Sequence, residues 1–277
     1  MVCFTIALMN KDAATNWEKV EQNFNNTLHS IFNQTDKNFR VYVGYTDMPR
    51  LNEKFDDRLK MIPCFTPCPK ERIERLRDRG WKLSACANAI YKDLGEIAFV
   101  DGGVFVFPVD ADDLVNNKIA EYANKNWKAN GFKSKFAYRH VSGKKYLDIS
   151  PYYGGTMNVM KLFREDLIEE LPDASLCYDF KTADMLHKKC PIRWTDHEVE
   201  GLFASLGRPL SRLPFRSTIY CLGTGENLSN SDPANLKTIR KKFHPIAFLR
   251  KISPFNKKLI TRRIKKEFGI QDFGFNL

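Results

Sequence analysis

No run in this chain approaches the roughly 18 apolar residues needed to span a bilayer as a helix. Cysteine is scarce and odd in number: there are seven, and Cys64 and Cys68 alone lie close together. Without a second pair or a histidine cluster, they do not make a zinc site, so reduced and mostly buried thiols are expected. No internal repeat or low-complexity tract occurs, which removes repeat architectures. The opening MVCFTIALMNKDA has neither the basic start nor the small-residue cleavage site of a signal peptide, so a cytoplasmic chain is expected.

What the chain does have is length and an uneven charge. Its 277 residues, 43% of them hydrophobic, suffice for one large α/β domain with a sizeable core plus an appendage. The formal net charge is +11, yet Leu236 to Leu277 alone carries 12 Lys/Arg against Glu267 and Asp272. The basic character therefore belongs to the C-terminal end. A domain over residues 1–230 and a basic amphipathic tail over 231–277 are expected.

Hydrophobic periodicity orders the first half. VCFTIALM reads as an opening strand, and Trp17, Val20, Phe24, Leu28, Ile31 and Phe32 recur at helical spacing. FRVYVGY is a second strand, so a right-handed βαβ unit is predicted within about 45 residues. A short strand near Met61 and Ile62, a helix in WKLSACANAIYKDL and a strand after the DGG turn at Asp101 follow. Further on, KFAYRHVSGKKYLDISP has the pattern of a hairpin, and YYGGTMNVMKLFREDLIEEL passes through glycines into a strand and a helix. TDHEVEGLFASLG predicts a short helix closed by Gly207, and LSRLPFRSTIYCL another strand.

The segment VFPVDADDLVNN ends an apolar strand in Asp110, Asp112 and Asp113. Carboxylates at the C-terminal end of a strand in an open α/β sheet stand where such folds bind ligands. Asp110 and Asp112 can turn to one side and share a hard divalent cation, Mg²⁺ or Mn²⁺, while Ala111 leaves room for a ligand. The alternative is a helix cap, in which Asp112 or Asp113 accepts amides at the start of LVNNKIAEYANKNW. A cap accounts for one carboxylate, whereas three in four positions repel one another unless a cation compensates.

In their order, NTLHSIFNQTDKNFRVYVGYTD, SACANAIYK and FPVDADDLV resemble the GT-A glycosyltransferases, most closely the bacterial family 2-like group. The likeness runs from about Phe4 to Ser229. It implies an α/β fold of the Rossmann-like, nucleotide-diphospho-sugar transferase kind: a central mixed sheet flanked by helices, here with a basic helical tail. It implies a nucleotide-sugar donor, with a UDP-sugar expected, bound across the sheet edge with Mn²⁺ or Mg²⁺. Asp112 would lie on the metal and Asp110 near the ribose or metal, with Asp113 a further ligand or only a cap. Ala7, Asp47, Lys82, Asn88, Asp110 and Ala111 are the implied nucleotide contacts. Two departures stand out: Asp47 falls two or three positions later than the family's base-reading Asp, and Ala87 replaces the Arg often found before the residue matching Asn88. Lys82 is a candidate to supply that charge to the diphosphate, or is a solvated helix-end lysine.

Asp196 in WTDHEVEG lies 84 residues beyond Asp112, near where family 2-like enzymes keep an acidic motif for the general base. Inverting transfer to a hydroxyl needs a group that removes the acceptor proton. Asp196 ranks first and His197 second, His197 serving as base or as a ligand to metal or phosphate. Glu198 is the third candidate, but Thr195 and Glu198 also form a capping box. In YCLGTGENLSNSD, Gly223 and Gly225 permit close backbone approach and Asn227 and Ser229 are candidate phosphate contacts; the stretch resembles a late loop that closes over the donor in such enzymes, or is a simple turn before the tail. Gly154, Gly155 and Thr156 are expected under the sugar or acceptor, or at a packed turn.

The tail mixes Lys/Arg with Leu, Ile and Phe, broken by Pro245 and Pro254. Such segments attract anionic lipid head groups, which suits a glycan or lipid-linked acceptor and a peripheral place on the inner membrane face. Nucleic acid is disfavoured, since few stacking aromatics accompany the charge; a solvated helix packed on its own domain is the plain alternative. The rival enzyme class is a sugar-phosphate nucleotidyltransferase. That class opens on a glycine- and arginine-rich phosphate loop, which LMNKDAATN lacks. The non-enzymatic rival is a degenerate GT-A domain tethered to membrane or nucleic acid by its tail.

Overall fold

The computed structural model describes residues 1–64, 84–151, 156–166, 198–224, 226 and 257–271. At Asn88 and Glu198 only the backbone path is described.

The predicted strand, helix, strand opening is present as β1 (Val2–Ala7), α1 (Trp17–Phe32) and β2 (Phe39–Tyr45), with β1 and β2 parallel. The Asn16 side chain accepts the Lys19 amide at 3.1 Å and starts α1. Phe24, Leu28 and Ile31 then bury one stripe of the helix against the sheet. β3 (Leu59–Pro63) continues outward from β2, again parallel. α2 (Ser84–Val100) leads into β4 (Phe105–Pro108), which pairs with the other side of β1, also parallel.

The first sheet is completed by β6 (Gly131–Lys133), β9 (Asn158–Lys161) and β10 (Ser211–Arg212), giving the order β10-β6-β9-β4-β1-β2-β3. β9 is antiparallel to both neighbours, so the central sheet is mixed. One face packs on α1 and on α3 (Ile119–Lys125). The other is covered by α2 and α4 (Glu198–Ser205) through Tyr91, Leu94, Val199 and Phe203. Gly207, at φ +71, ends α4 as the sequence predicts.

A second, five-stranded sheet runs β12-β8-β7-β11-β5. The hairpin is β7 (Phe136–Val141) and β8 (Tyr146–Pro151); β5 is Leu114–Val115, β11 is Thr218–Leu222 and β12 is Lys257–Leu259. Ile264 and Phe268 of α5 (Arg262–Phe268) pack against Leu114, Tyr138, Leu147 and Ile219.

Two expectations change. LSRLPFRSTIYCL is not one strand, because Leu213 to Ser217 separate β10 from β11. LVNNKIAEYANKNW does not start its helix at the acidic cluster: Leu114 and Val115 are β5, and α3 begins at Ile119 with Lys118 at its cap. The helix expected in FREDLIEEL is described only through Asp166, as a single 3-10 turn from Arg164. The boundary placed at residue 231 lies outside the described residues. Within 257–271 the basic end adds a strand to the second sheet and a helix to its face.

Candidate active site

β1 to β3 run parallel and extend to one side of β1, while β4 lies on the other. The chain therefore reverses direction across the sheet between β1 and β4. At such a switch point the loops leaving the two strands diverge and open a crevice outside their carboxyl ends. Asp110 to Asp113 follow β4 there, and the Val109 amide still bonds Thr5 O of β1 at 2.8 Å.

Long-range bonds fix the loop. The Asp110 amide donates to Thr156 Oγ1 at 2.8 Å, the Thr27 hydroxyl of α1 to Ala111 O at 3.0 Å, and the Tyr91 hydroxyl of α2 to Val109 O at 2.9 Å. Asp113 is fully buried; its Oδ1 accepts the Cys221 amide at 3.1 Å and the Thr156 hydroxyl donates to the same carboxylate. Both acids therefore use Thr156, one through its backbone amide. Asp112 accepts a bond from the Thr224 hydroxyl beyond β11.

Burial, followed by the charge of Asp110, pushes the Asp112 carboxyl up to about 7. Burial and then Asp110 and Asp112 drive Asp113 well above the usual carboxylate range. Burial and Asp113 raise the Cys221 thiol, which is thus a packed thiol rather than a nucleophile. Two acids that favour protonation near neutrality are the electrostatic condition a divalent cation would relieve. Among the described residues, no three His, Cys, Asp or Glu side chains converge to hold an ion. A metal here would take part of its coordination from a ligand.

A cleft begins at Asp112. Lys19, Asn23 and Asn26 of α1 form one wall, His140 and Ser142 at the end of β7 another, and Cys221, Leu222 and Thr224 the third. It encloses about 430 Å³ of empty space, counting the solvent at its mouth. Burial lowers the His140 pKa, and its Nε2 meets Lys144 O at 3.0 Å, so the imidazole is a neutral, hydrogen-bonded wall.

Of the remaining predicted residues, Ala7 ends β1 beside Gly44 of β2. Asp47 Oδ2 accepts the Lys11 amide at 2.7 Å and ties the loop after β2 to the loop after β1. Thr156, expected under the sugar or acceptor or at a packed turn, is fully buried and clamps the acidic loop, as a packed turn requires. Asp113, expected as ligand or cap, caps no helix, and its carboxylate is committed to Cys221 and Thr156. Lys82, Gly154, Gly155, Asp196, His197, Asn227 and Ser229 lie outside the described residues.

Glu226 was missed by sequence reasoning. Its carboxylate accepts the Thr15 and Asn16 amides at 2.9 and 2.6 Å, joining the late loop to the start of α1. Its place inside TGEN was the available signal. Gln34 and Thr35 also have a structural role. Buried Gln34 donates to Asn116 O and accepts the Ala120 amide, both at 2.8 Å, and the Thr35 amide donates to Asn117 O at 2.9 Å. They bracket the chain just after the acidic loop.

No family model matches the chain, and no curated protein matches it. Among solved structures it aligns with S. aureus TarS 1–349 at 14% identity and TM-score 0.36, over 80% of this chain and 60% of that one. The chain thus spans three-fifths of that structure's length. A likeness this distant carries no inference about activity or substrate.

Proposed function

We propose that the protein is a metal-dependent glycosyltransferase that moves a sugar from a nucleotide-diphosphate donor, a UDP-sugar in the first instance, to a hydroxyl of a glycan or lipid-linked acceptor. The observation that carries this is the position of Asp110 and Asp112 at the switch point between β1 and β4, with Asp112 opening into a cleft that also presents Lys19, Asn23, Asn26 and Thr224. The resemblance of FPVDADDLV and its neighbours to family 2-like enzymes supplies the reaction class.

Asp112, with Asp110 beside it, would hold Mn²⁺ or Mg²⁺, and diphosphate oxygens would complete the hard ligand set. The bound ion would offset charge on the leaving nucleotide. Asp113 and Thr156 fix the loop so that this geometry exists before the donor arrives. Ala7, at the end of β1, and Asp47, on the loop after β2, would meet the nucleoside end, with Asn88 and Ala111 as further contacts. Thr224 bonds Asp112 and Glu226 ties its own position to the start of α1, and Asn227 and Ser229 are proposed as phosphate contacts. Asp196 is proposed as the base that takes the acceptor proton in an inverting displacement, with His197 or Glu198 in reserve.

Thermal stabilisation by UDP, GDP, CMP and dTDP, each with and without Mn²⁺, tests the reading on the native chain and on Asp112→Asn. One nucleotide should raise the melting temperature with Mn²⁺ present and Asp112 intact, and not otherwise. Equal stabilisation of Asp112→Asn, or none by any nucleotide on a folded chain, would overturn it.

A further inference from the structure

We propose that the β12 edge of the second sheet, with the β7–β8 turn and α5, is a docking face for an anionic lipid bilayer. Lys257, Lys258 and Leu259 make up β12 and are all exposed. Leu259 has 70% of its surface in solvent, unusual for a leucine held in a strand. Its register partner is Tyr146, over whose ring the ammonium groups of Lys144 and Lys257 sit at 5.4 and 4.8 Å. Lys145, in the same turn, is exposed and its carbonyl meets the Ile260 amide.

α5 extends the charge. Arg262, Arg263 and Lys266 face solvent, whereas Ile264 and Phe268 anchor the helix in the core. Among the described residues of these elements the counter-charges are Asp148, opposite Lys257 in register, and Glu267, bonded to Arg263 at 2.8 Å. The excess is strongly positive and is held on fixed elements.

Lysines on an edge strand often guard it against pairing with another sheet. That role accounts for Lys257 and Lys258. It does not account for arginines on a neighbouring helix, nor for an exposed leucine between the lysines and that helix. Cations around an apolar side chain match the head groups and the acyl boundary of an anionic membrane. Nucleic acid would call for open aromatic faces, and Tyr146 is half-buried beneath two lysines.

The face is one packed layer from the acidic loop. Phe268 and Ile264 pack with Leu114 and Cys221, and Asp113, next to Leu114, accepts the Cys221 amide. On the glycosyltransferase reading, docking here brings a membrane-borne acceptor to the site; the docking itself does not rest on that reading.

The test is sedimentation of the full chain with vesicles of phosphatidylcholine, or of an about 7:3 mixture with phosphatidylglycerol, at low and high salt. Binding is expected to the anionic vesicles alone and to weaken with salt. Each lost cation should lower partitioning roughly fivefold, so Lys257→Gln, Lys258→Gln, Arg262→Gln and Arg263→Gln together should lower it more than about a hundredfold. Leu259→Ser should weaken binding at both salts. Should the fourfold variant melt early, Lys144→Gln with Lys145→Gln on the exposed turn repeats the test, with roughly a 25-fold loss expected. Equal binding to neutral vesicles, a folded variant that binds like the native chain, or an oligonucleotide that displaces the protein from vesicles would overturn the proposal.

Discussion

Thr156 Oγ1 accepts the Asp110 amide at 2.8 Å across 46 positions of sequence, from within the core. The same hydroxyl donates to Asp113, so one side chain holds both ends of the acidic turn. Thr156→Val keeps the shape but leaves a buried amide and a buried carboxyl without that partner. A loss of about 1 to 3 kcal/mol in urea unfolding is expected, with Thr156→Ser recovering most of it. A valine variant as stable as the native chain would show that the clamp is replaceable.

The pH dependence should run opposite to that of ordinary paired carboxylates. Asp112, raised to about 7, and Asp113, raised well above the ordinary carboxylate value, hold protons in the fold at pH values where the unfolded chain has released them. Between about pH 4 and pH 7 the native state therefore binds more protons, and stability falls as pH rises through that window. Without divalent cation, the melting temperature should decline from about pH 5 to about pH 8. Asp112→Asn should flatten the decline, and Mn²⁺ should oppose it at the alkaline end. A melting temperature that follows pH in Asp112→Asn just as it does in the native chain would mean that Asp112 is already ionised in the fold, since the opposing slope from His140 is common to both.

Glu226 supplies the negative group at the start of α1 and restrains the loop that carries Thr224. Glu226→Gln keeps an acceptor without the charge, and Glu226→Ala removes both. The alanine variant should lose about 1 kcal/mol of stability, the glutamine variant less. If the loop's position controls Asp112, nucleotide stabilisation in the presence of Mn²⁺ should fall in the same order. An unchanged nucleotide response with lowered stability would confine Glu226 to the cap.

Arg208 and Asp166 form a bidentate pair, at 2.9 and 2.5 Å, whose carboxylate is almost wholly buried. The guanidinium also stacks over Phe163 and Phe203, linking the end of α4 to the segment after β9. Asp166→Ala strands a charge in that setting and should cost about 3 to 5 kcal/mol. Chemical denaturation measures it; a change below about 1 kcal/mol would show that the arginine finds another partner or reaches water.

Periodicity alone determined the opening β1, α1, β2 unit, the β7–β8 hairpin and the helix closed by Gly207, because those elements bury one stripe or one face and the pattern repeats locally. It also marked Asp110 and Asp112, since unneeded carboxylates at a strand end contradict the apolar logic of the strand. It could not decide what each acid does. A cap and a ligand have the same residue types at the same spacing, and only the cap requires that a helix start there. The sheet decided that: Leu114 and Val115 pair with β11 as β5, which moves the helix on to Ile119. The bonds made by Thr156, Thr224 and Glu226 were equally out of reach, because they span 46 to 211 positions or close only when two sheets and α1 meet. The tail shows the same division, for its charge is plain in the sequence. That Ile264 and Phe268 are anchored while Leu259 is left outside depends on the edge of a sheet the tail itself helps to build.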